Sequence, residues 1–308
     1  MTTQTLPRDW SLLLDGWRVT LEADGYSPKS VRTYAAGMAS FAGWLVANHP
    51  VLEPRDLTRN HVRGWLADVR VRNGATTAAT YYAGVRHFAK WLVTEGESTG
   101  DPTAGVRSPV PSEPATPVLS SDELKALLAT CSRTTFTGAR DAAIIMLLAD
   151  GGLRLGELVG LQIDDVDLGA KLVFVIGKGT GRRGPRHRSV PYGVRTAQLI
   201  NRYLRARERH PFHASPALWL GAFDQPSLSP ETVRRMIRRR GGAIGIKVHP
   251  HTLRHTWASE FRAAGGSEGD LMQLGGWRNR AMLDRYGASA AAGRAADAYR
   301  KLSLGDRL

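Results

Sequence analysis

The chain has 308 residues, enough for two domains, and its 42 Lys and Arg against 28 Asp and Glu give a formal net charge of +14. Such an excess of positive charge is typical of nucleic-acid-binding proteins. The longest apolar run, residues 142–149, is too short to span a bilayer, the first nine residues lack an apolar signal core, and the single Cys131 excludes an internal disulfide, so we expect a cytoplasmic protein with no membrane partner.

The first hundred residues carry four apolar stripes at helical spacing. Ser27 and Pro28 are the expected N-cap and first residue of the second helix. We therefore predict a four-helix domain over residues 1–100 with the aromatic side chains in its core, and stacking of those aromatics on bases is the alternative. The stripes are Trp10, Leu13, Leu14, Trp17 and Leu21; Val31, Tyr34, Met38, Phe41 and Leu45; Val62, Leu66 and Val69; and Tyr81, Val85, Phe88 and Leu92.

Residues 101–118 contain five prolines, at positions 102, 109, 111, 114 and 117. A segment with this composition cannot continue a helix and tends toward the extended polyproline geometry. We predict that it is a semi-rigid linker and that a second domain occupies residues 119–308.

The second domain is predicted to be mainly helical with a small β-sheet, which makes the whole chain an α+β protein. Ser120 and Glu123 form a capping-box pattern at its start. A buried helix is expected through residues 142–148, and residues 172–176 and 186–190 are predicted to be two strands joined by a Gly-rich turn.

The Gly-rich turn contains Lys178 but is not a nucleotide-binding loop. The glycine that a Walker pattern requires five positions before Gly177 is Leu172. A metal site at the acidic residues 164–167 is also disfavoured, because acidic residues are common in turns and the chain offers no matching ligand set. We therefore expect neither a metal nor a cofactor.

A predicted helix beginning at Ser229 carries a dense group of arginines. Val233, Met236 and Ile237 give this helix one buried face. So many neighbouring cations repel one another unless an anion is present, which favours docking on DNA over a solvated face. The arginines are Arg234, Arg235, Arg238, Arg239 and Arg240.

Residues 250–287 hold the densest group of candidate site residues. His251 and Arg254 are three residues apart, so on a helix they project from one face and can reach a single phosphate together. Taken singly, the candidates have structural interpretations: His251 as a core histidine, Arg154 and Glu157 as a surface ion pair, and a packing role for Tyr286.

Several motifs occur in a fixed order. These are Gly151-Gly-Leu-Arg154-Leu-Gly-Glu157, then Lys178 in its Gly-rich turn, then His251-Thr-Leu-Arg254-His255, then Leu274-Gly-Gly-Trp277, and finally Tyr286. Together they resemble the tyrosine site-specific recombinase (phage integrase) family, which includes Xer-like and mobile-element recombinases. Most members carry His where this chain has Trp277. An indole N–H can donate a hydrogen bond to a phosphate oxygen but cannot shuttle a proton, so Trp277 is given a binding role only.

The resemblance implies attack of the Tyr286 hydroxyl on a DNA phosphodiester to form a 3′-phosphotyrosyl link, without metal or ATP. The guanidinium groups of Arg154 and Arg254 bind the non-bridging oxygens, and their planar shape suits this task. His251 takes or holds the tyrosine proton, and Lys178 is the general acid for the departing 5′-hydroxyl.

Two further residues receive supporting roles in this interpretation. Glu157 is expected to orient Arg154 or a neighbouring histidine. His255 is expected to support the fold or to assist the site from behind the residues that touch the phosphate.

The resemblance also implies a SAM-like core-binding domain at the amino terminus and double-stranded DNA as partner. Lys29, Arg32 and Arg86 are expected to contact phosphates, and the two domains are expected to close around a duplex. A homo-tetramer on two DNA sites is implied, with a hetero-oligomer as the alternative. The Ala-rich tail, residues 288–308, is expected to pack on its own domain or on a neighbouring protomer.

Two other functions remain open from the sequence. A type IB topoisomerase-like enzyme uses a similar set of residues to relax DNA, and a non-catalytic DNA-binding regulator could retain the fold. Within the recombinases, the core-binding helices begin almost at once, which favours a chromosome-dimer resolvase or a compact mobile-element enzyme over a phage integrase with an arm-binding domain. Of these two, Trp277 favours the mobile-element enzyme.

Overall fold

The computed structural model describes residues 8–50, 52–111, 117–177, 186–222 and 225–277. The chain divides into two compact units, Met1–Glu113 and Pro114–Leu308. Most of it is helical, with one three-stranded sheet in the described residues, which confirms the predicted α+β class. None of the described helices is both long enough and apolar enough to cross a bilayer.

The described residues of the first unit form three helical elements and a 3-10 turn at Pro54–Asp56. The helices are α1 (Arg8–Ala23), α2 (Pro28–Asn48) and α3 (Arg59–Thr94). Helix α2 begins as predicted, because the Ser27 hydroxyl accepts a hydrogen bond from the Ser30 amide at 3.2 Å. Helix α3 contains the predicted third and fourth helices as two arms that meet at Gly74, whose φ of 81° favours glycine.

The two long helices of this unit approach each other at two glycines. A Cβ on Gly37 would lie 2.4 Å from the Tyr81 carbonyl oxygen, and one on Gly84 would lie 2.6 Å from the Tyr34 carbonyl oxygen. The backbones of α2 and α3 therefore touch directly. The predicted aromatic stripes line the core of this unit, as the burial of Trp10, Trp17, Phe41 and Phe88 shows. Buried rings cannot stack on bases, so the alternative role for these four is wrong.

The segment predicted as a linker begins as a packed part of the first unit. The Tyr82 hydroxyl donates to the Val106 carbonyl at 2.9 Å. The Asp101 carboxylate accepts from the amide and hydroxyl of Thr103, at 2.8 and 2.6 Å, and Thr103 is buried. Residues 112–116 lie outside the described part of the chain.

The second unit surrounds a buried central helix. Its helices are α4 (Ser121–Ala129), α5 (Phe136–Gly151), α6 (Leu155–Val159), α7 (Val194–Arg207), α8 (Pro230–Gly242), α9 (Pro250–Ala263) and α10 (Glu268–Gly275). The predicted capping box starts α4, with reciprocal hydrogen bonds between Ser120 and Glu123 at 2.8 and 3.2 Å. Helix α5 is the buried helix expected from the sequence, and it packs against α7 and α9.

The sheet contains β1 (Val166–Asp167), β2 (Leu172–Gly177) and β3 (Arg186–Pro191) in antiparallel order β1-β2-β3. The pairing of β2 with β3 runs from Leu172 opposite Pro191 to Gly177 opposite Arg186. Both predicted strands are confirmed, each one residue longer than expected. Residues 178–185, which include the predicted Gly-rich turn, lie outside the described residues.

A buried charge cluster attaches α8 to α5. Asp141, which is fully buried, accepts hydrogen bonds from Arg140 at 2.9 and 3.1 Å and from Arg240 at 2.5 and 2.9 Å. The prediction that Arg240 belongs to the DNA-facing arginines is therefore wrong. Arg240 lies three residues after the buried Ile237 and seven after the buried Val233, so the helical period turns it inward.

Neutralising Asp141 is expected to destabilise the second unit. In Asp141→Asn the guanidinium groups of Arg140 and Arg240 stay buried without a counter-charge, and breaking such a cluster costs about 3–5 kcal/mol. Urea unfolding of both proteins measures the difference. The control is Asp122→Asn, which breaks an exposed ion pair with Lys125 and should change stability little. Equal stabilities of Asp141→Asn and the control would contradict the role of the cluster.

Candidate active site

Arg154 is held at the start of α6 by a carboxylate one turn later. Its backbone N–H donates to Glu157 Oε2 at 2.8 Å and its Nη1 donates to Glu157 Oε1 at 2.9 Å, while its Nη2 donates to the Gly276 carbonyl at 2.8 Å. Glu157 is 5% exposed, whereas the side chain of Arg154 is 42% exposed. The arginine is thus fixed by a buried partner and still reaches solvent.

A second arginine, Arg188 of β3, binds the same carboxylate. Its Nη1 and Nη2 donate to Glu157 Oε1 and Oε2 at 2.9 and 2.8 Å. Its Nε donates to the Leu274 carbonyl in α10 at 2.9 Å. The side chain is only 12% exposed. Arg188 therefore joins the sheet, α6 and the end of α10.

The two arginines determine the ionisation of Glu157. Burial alone would raise the pKa of this carboxyl, but the hydrogen bond and charge of Arg188, with the backbone hydrogen bond and charge of Arg154, outweigh burial and lower the pKa to about 2. Glu157 is consequently a carboxylate at neutral pH.

The low pKa of Glu157 predicts a loss of stability in acid. Because the folded-state pKa lies below the ordinary value of 4.5, the stabilisation is complete above that pH and disappears as the pH falls toward 2. As the pH falls through this range, the free energy of unfolding of the wild type is expected to decrease. The decrease should exceed that of Glu157→Gln by about 3 kcal/mol. Urea unfolding at a series of pH values measures both losses, and equal losses would contradict the assignment.

Arg254 lies in the second turn of α9 and is 1% exposed. Its Nη1 donates to the Gly152 carbonyl at the end of α5, and its Nη2 donates to the Gly275 carbonyl at 2.6 Å. Its guanidinium lies 4.8 Å from the centroid of the Trp277 ring. This side chain therefore connects α5, α9 and the residues that follow α10.

The turn at residues 275–277 brings Arg154 and Arg254 together. Arg254 donates to the carbonyl of Gly275 and Arg154 to the carbonyl of Gly276, the next residue. Gly276 has a φ of 63°, and a Cβ there would lie 3.2 Å from Arg154 Nη1. A glycine is thus needed both for the backbone conformation and for the approach of the arginine.

Two histidines lie on α9 beside Arg254. His251 is exposed in the first turn, and His255 is 5% exposed one turn later. Their ring centroids are 4.5 Å apart and the rings are nearly perpendicular, at 88°. The buried ring of His255 therefore supports the exposed ring of His251.

The cations predicted to contact DNA lie on exposed helix surfaces. On α8, Arg234, Arg235, Arg238 and Arg239 are exposed, and Arg234 pairs with Glu231 at 3.2 Å. In the first unit, the predicted phosphate-contacting residues Lys29, Arg32 and Arg86 are exposed on α2 and α3. Within the part of the chain that the structure describes, no three His, Cys, Asp or Glu side chains are grouped to hold a metal ion.

Comparison with known proteins decides the family. Residues 117–292 match the sequence model of the family described as Phage integrase family. Residues 14–96 match the family model described as Phage integrase, N-terminal SAM-like domain. The chain belongs to the phage integrase family. This recombinase is 30% identical over 284 residues to the tyrosine recombinase XerC of Myxococcus xanthus, a match that covers 90% of this chain and 92% of XerC.

Solved structures share the fold of the recombinase. The XerH site-specific recombinase bound to palindromic difH substrate matches with a TM-score of 0.72 at 15% identity, covering 96% of this chain and 84% of XerH. A lambda integrase tetramer bound to a Holliday junction matches with a TM-score of 0.68 at 17% identity, covering 88% and 77% of the two chains.

The structure of the recombinase brings some of the predicted site residues together, and others lie outside the described residues. Arg154, Arg254 and Trp277 meet at one turn, and Glu157 binds Arg154 rather than a histidine. Lys178 and Tyr286 lie outside the described residues.

The sequence prediction missed Arg188. A signal was present, because Arg188 lies two residues before the buried Val190 on β3, and side chains two residues apart on a strand lie on the same, here inward, face. A cation on an inward face requires a buried partner, but the partner's identity cannot be read from strand alternation.

Proposed function

We propose that this recombinase cleaves and rejoins double-stranded DNA at specific sites through a 3′-phosphotyrosyl link to Tyr286, with neither a metal nor ATP. One observation carries the proposal. Arg154 and Arg254, from different helices, donate to consecutive carbonyls of the turn that precedes the segment containing Tyr286. Two guanidinium groups held this close can act on one phosphate.

The arginines supply charge where the reaction develops it. During attack on a phosphodiester, negative charge spreads over the non-bridging oxygens, and preorganised cations stabilise it without rearranging at that moment. Arg154 has a partly exposed side chain for this contact. The Trp277 indole lies beside Arg254 and has an N–H suited to a phosphate oxygen.

Proton transfer is assigned to two other residues. A tyrosine hydroxyl has a pKa of about 10, so at neutral pH it needs a cationic site or a base to become a nucleophile. The exposed His251 is proposed to take the proton from Tyr286. Lys178 is proposed to protonate the 5′-oxygen as it leaves. The covalent link conserves the energy of the phosphodiester, which is why rejoining needs no ATP.

DNA binding is assigned to both units. The exposed arginines of α8 suit the major groove, and Lys29, Arg32 and Arg86 suit phosphates. The XerH and lambda integrase complexes, which share this fold, contain DNA, and the lambda integrase complex is a tetramer. These likenesses support the proposal that four copies act on two duplexes.

The comparisons do not favour the two rival functions. Both the amino-terminal and the catalytic family models match, and the relatives, which this chain matches over 92% and 84% of their length, are tyrosine recombinases. A type IB topoisomerase-like enzyme would relax plasmids that lack a specific site. A non-catalytic regulator would bind DNA without forming an adduct.

The experiment begins by sequencing DNA trapped covalently on the protein in cells, which identifies the site. Reads at the ends of a mobile element would support transposition, and reads at one chromosomal locus would support resolution. A duplex containing that site and a nick beside the scissile phosphate is then incubated with the protein and EDTA. We expect a denaturation-resistant adduct whose nucleotide maps to Tyr286 by mass spectrometry. A nucleotide on another residue, or no adduct, would overturn the proposal.

A further inference from the structure

We infer that Arg188 is a positioning residue for strand cleavage that keeps Arg154 available to the phosphate. The inference rests on the proposed function of Arg154. The two arginines share both oxygens of the Glu157 carboxylate. Each carboxylate oxygen accepts one hydrogen bond from Arg188 and one from Arg154, at 2.8 or 2.9 Å.

The charge balance of this group depends on Arg188. Arg154, Arg188 and Glu157 together carry a net charge of +1, and they would carry no net charge without Arg188. Because the Glu157 carboxylate is nearly buried, it would offset much of the charge of a single guanidinium paired with it. Arg154 would then have little net charge to offer a phosphate.

Geometry gives Arg188 a second effect on Arg154. The side-on contact of Arg188 occupies one acceptor site on each oxygen of Glu157. Arg154 therefore binds the carboxylate only through its Nη1 and its backbone N–H. With Arg188 removed, Glu157 is free to take Arg154 in a side-on pair. Such a pair would consume the guanidinium N–H groups that face the substrate.

Arg188 also holds the turn on which Arg154 rests. Its Nε donates to the Leu274 carbonyl, and a Cβ placed on Gly276 would lie 3.1 Å from its Nη1. The turn is therefore fixed between the guanidinium groups of Arg154 and Arg188. Both effects, on charge and on position, act through Arg154 and not through contact with DNA.

The test compares single-turnover cleavage of the nicked duplex by the wild type, Arg188→Gln and the double variant Arg188→Gln with Glu157→Gln. We expect Arg188→Gln to reduce the cleavage rate about 10²-fold. We expect the double variant to recover about tenfold over Arg188→Gln, because removing the carboxylate charge frees Arg154. If Arg188 acts only on the fold, cleavage by each variant follows its stability, so urea unfolding of all three proteins is measured alongside cleavage and a recovery that merely tracks restored stability would contradict the inference.

The structural control is Arg140→Gln, which disturbs the Asp141 cluster instead of this site. Adding Glu157→Gln to Arg140→Gln should lower cleavage further. A double variant at Arg188 and Glu157 that cleaves no faster than Arg188→Gln would overturn the inference while leaving the proposed function intact. Absence of an adduct with the wild type would overturn both.

Discussion

Tyr286→Phe is expected to abolish the covalent protein–DNA adduct while leaving DNA binding unchanged. Phenylalanine keeps the ring but lacks the oxygen that joins the phosphate, so no other step of the reaction can compensate. Removal of a nucleophile reduces the rate by about 10⁴-fold or more. Adduct formation on the nicked duplex should therefore fall to background.

The matched control for this substitution is Tyr299→Phe, at a tyrosine 13 residues later in the chain. It should form the adduct at the wild-type rate. Denaturing gels measure adducts, and mobility shifts in native gels confirm that all three proteins bind the duplex. An adduct that persists in Tyr286→Phe would show that another residue is the nucleophile.

Arg254→Lys is expected to reduce the cleavage rate about 10²–10³-fold although the positive charge is kept. A lysine ammonium lacks the planar fork that lets Arg254 bridge the carbonyls of Gly152 and Gly275. The cation would then sit away from the phosphate, and the turn that carries Trp277 would lose one of its anchors.

Single-turnover cleavage and native gels separate this effect from weaker DNA binding. The control is Arg262→Lys on the same helix, whose ion pair with Glu268 at 3.2 Å should tolerate the exchange. Cleavage by Arg254→Lys at the rate of the control would show that charge alone suffices at this position. Urea unfolding of both variants identifies any loss due to instability.

The elements that sequence analysis predicted well are those with local signals. Ser27 with Pro28 and Ser120 with Glu123 start helices where their capping chemistry requires. Strand β2 was found from its run of β-branched and aromatic residues at 173–176, and β3 because it follows the Gly-rich turn after β2. Each of these signals depends on neighbours in the chain, so no knowledge of tertiary contacts was needed.

Features that depend on distant residues were not predicted. The role of Arg240 follows from Asp141 on another helix, and the role of Arg188 follows from Glu157. Gly74 joins two predicted helices into one bent element, which composition alone does not show. The proximity of Arg154 and Arg254 was inferred from resemblance, because nothing in their local sequences places them at one turn.

The anchors of the two site arginines at the turn after α10 are main-chain oxygens, and this has a consequence for protein engineering. No side-chain substitution removes these carbonyl anchors directly, but the turn must keep glycine at position 276 for its left-handed bend and for the approach of Arg154. A designer who transplants this centre into another scaffold should therefore copy a loop shape before copying any acidic residue.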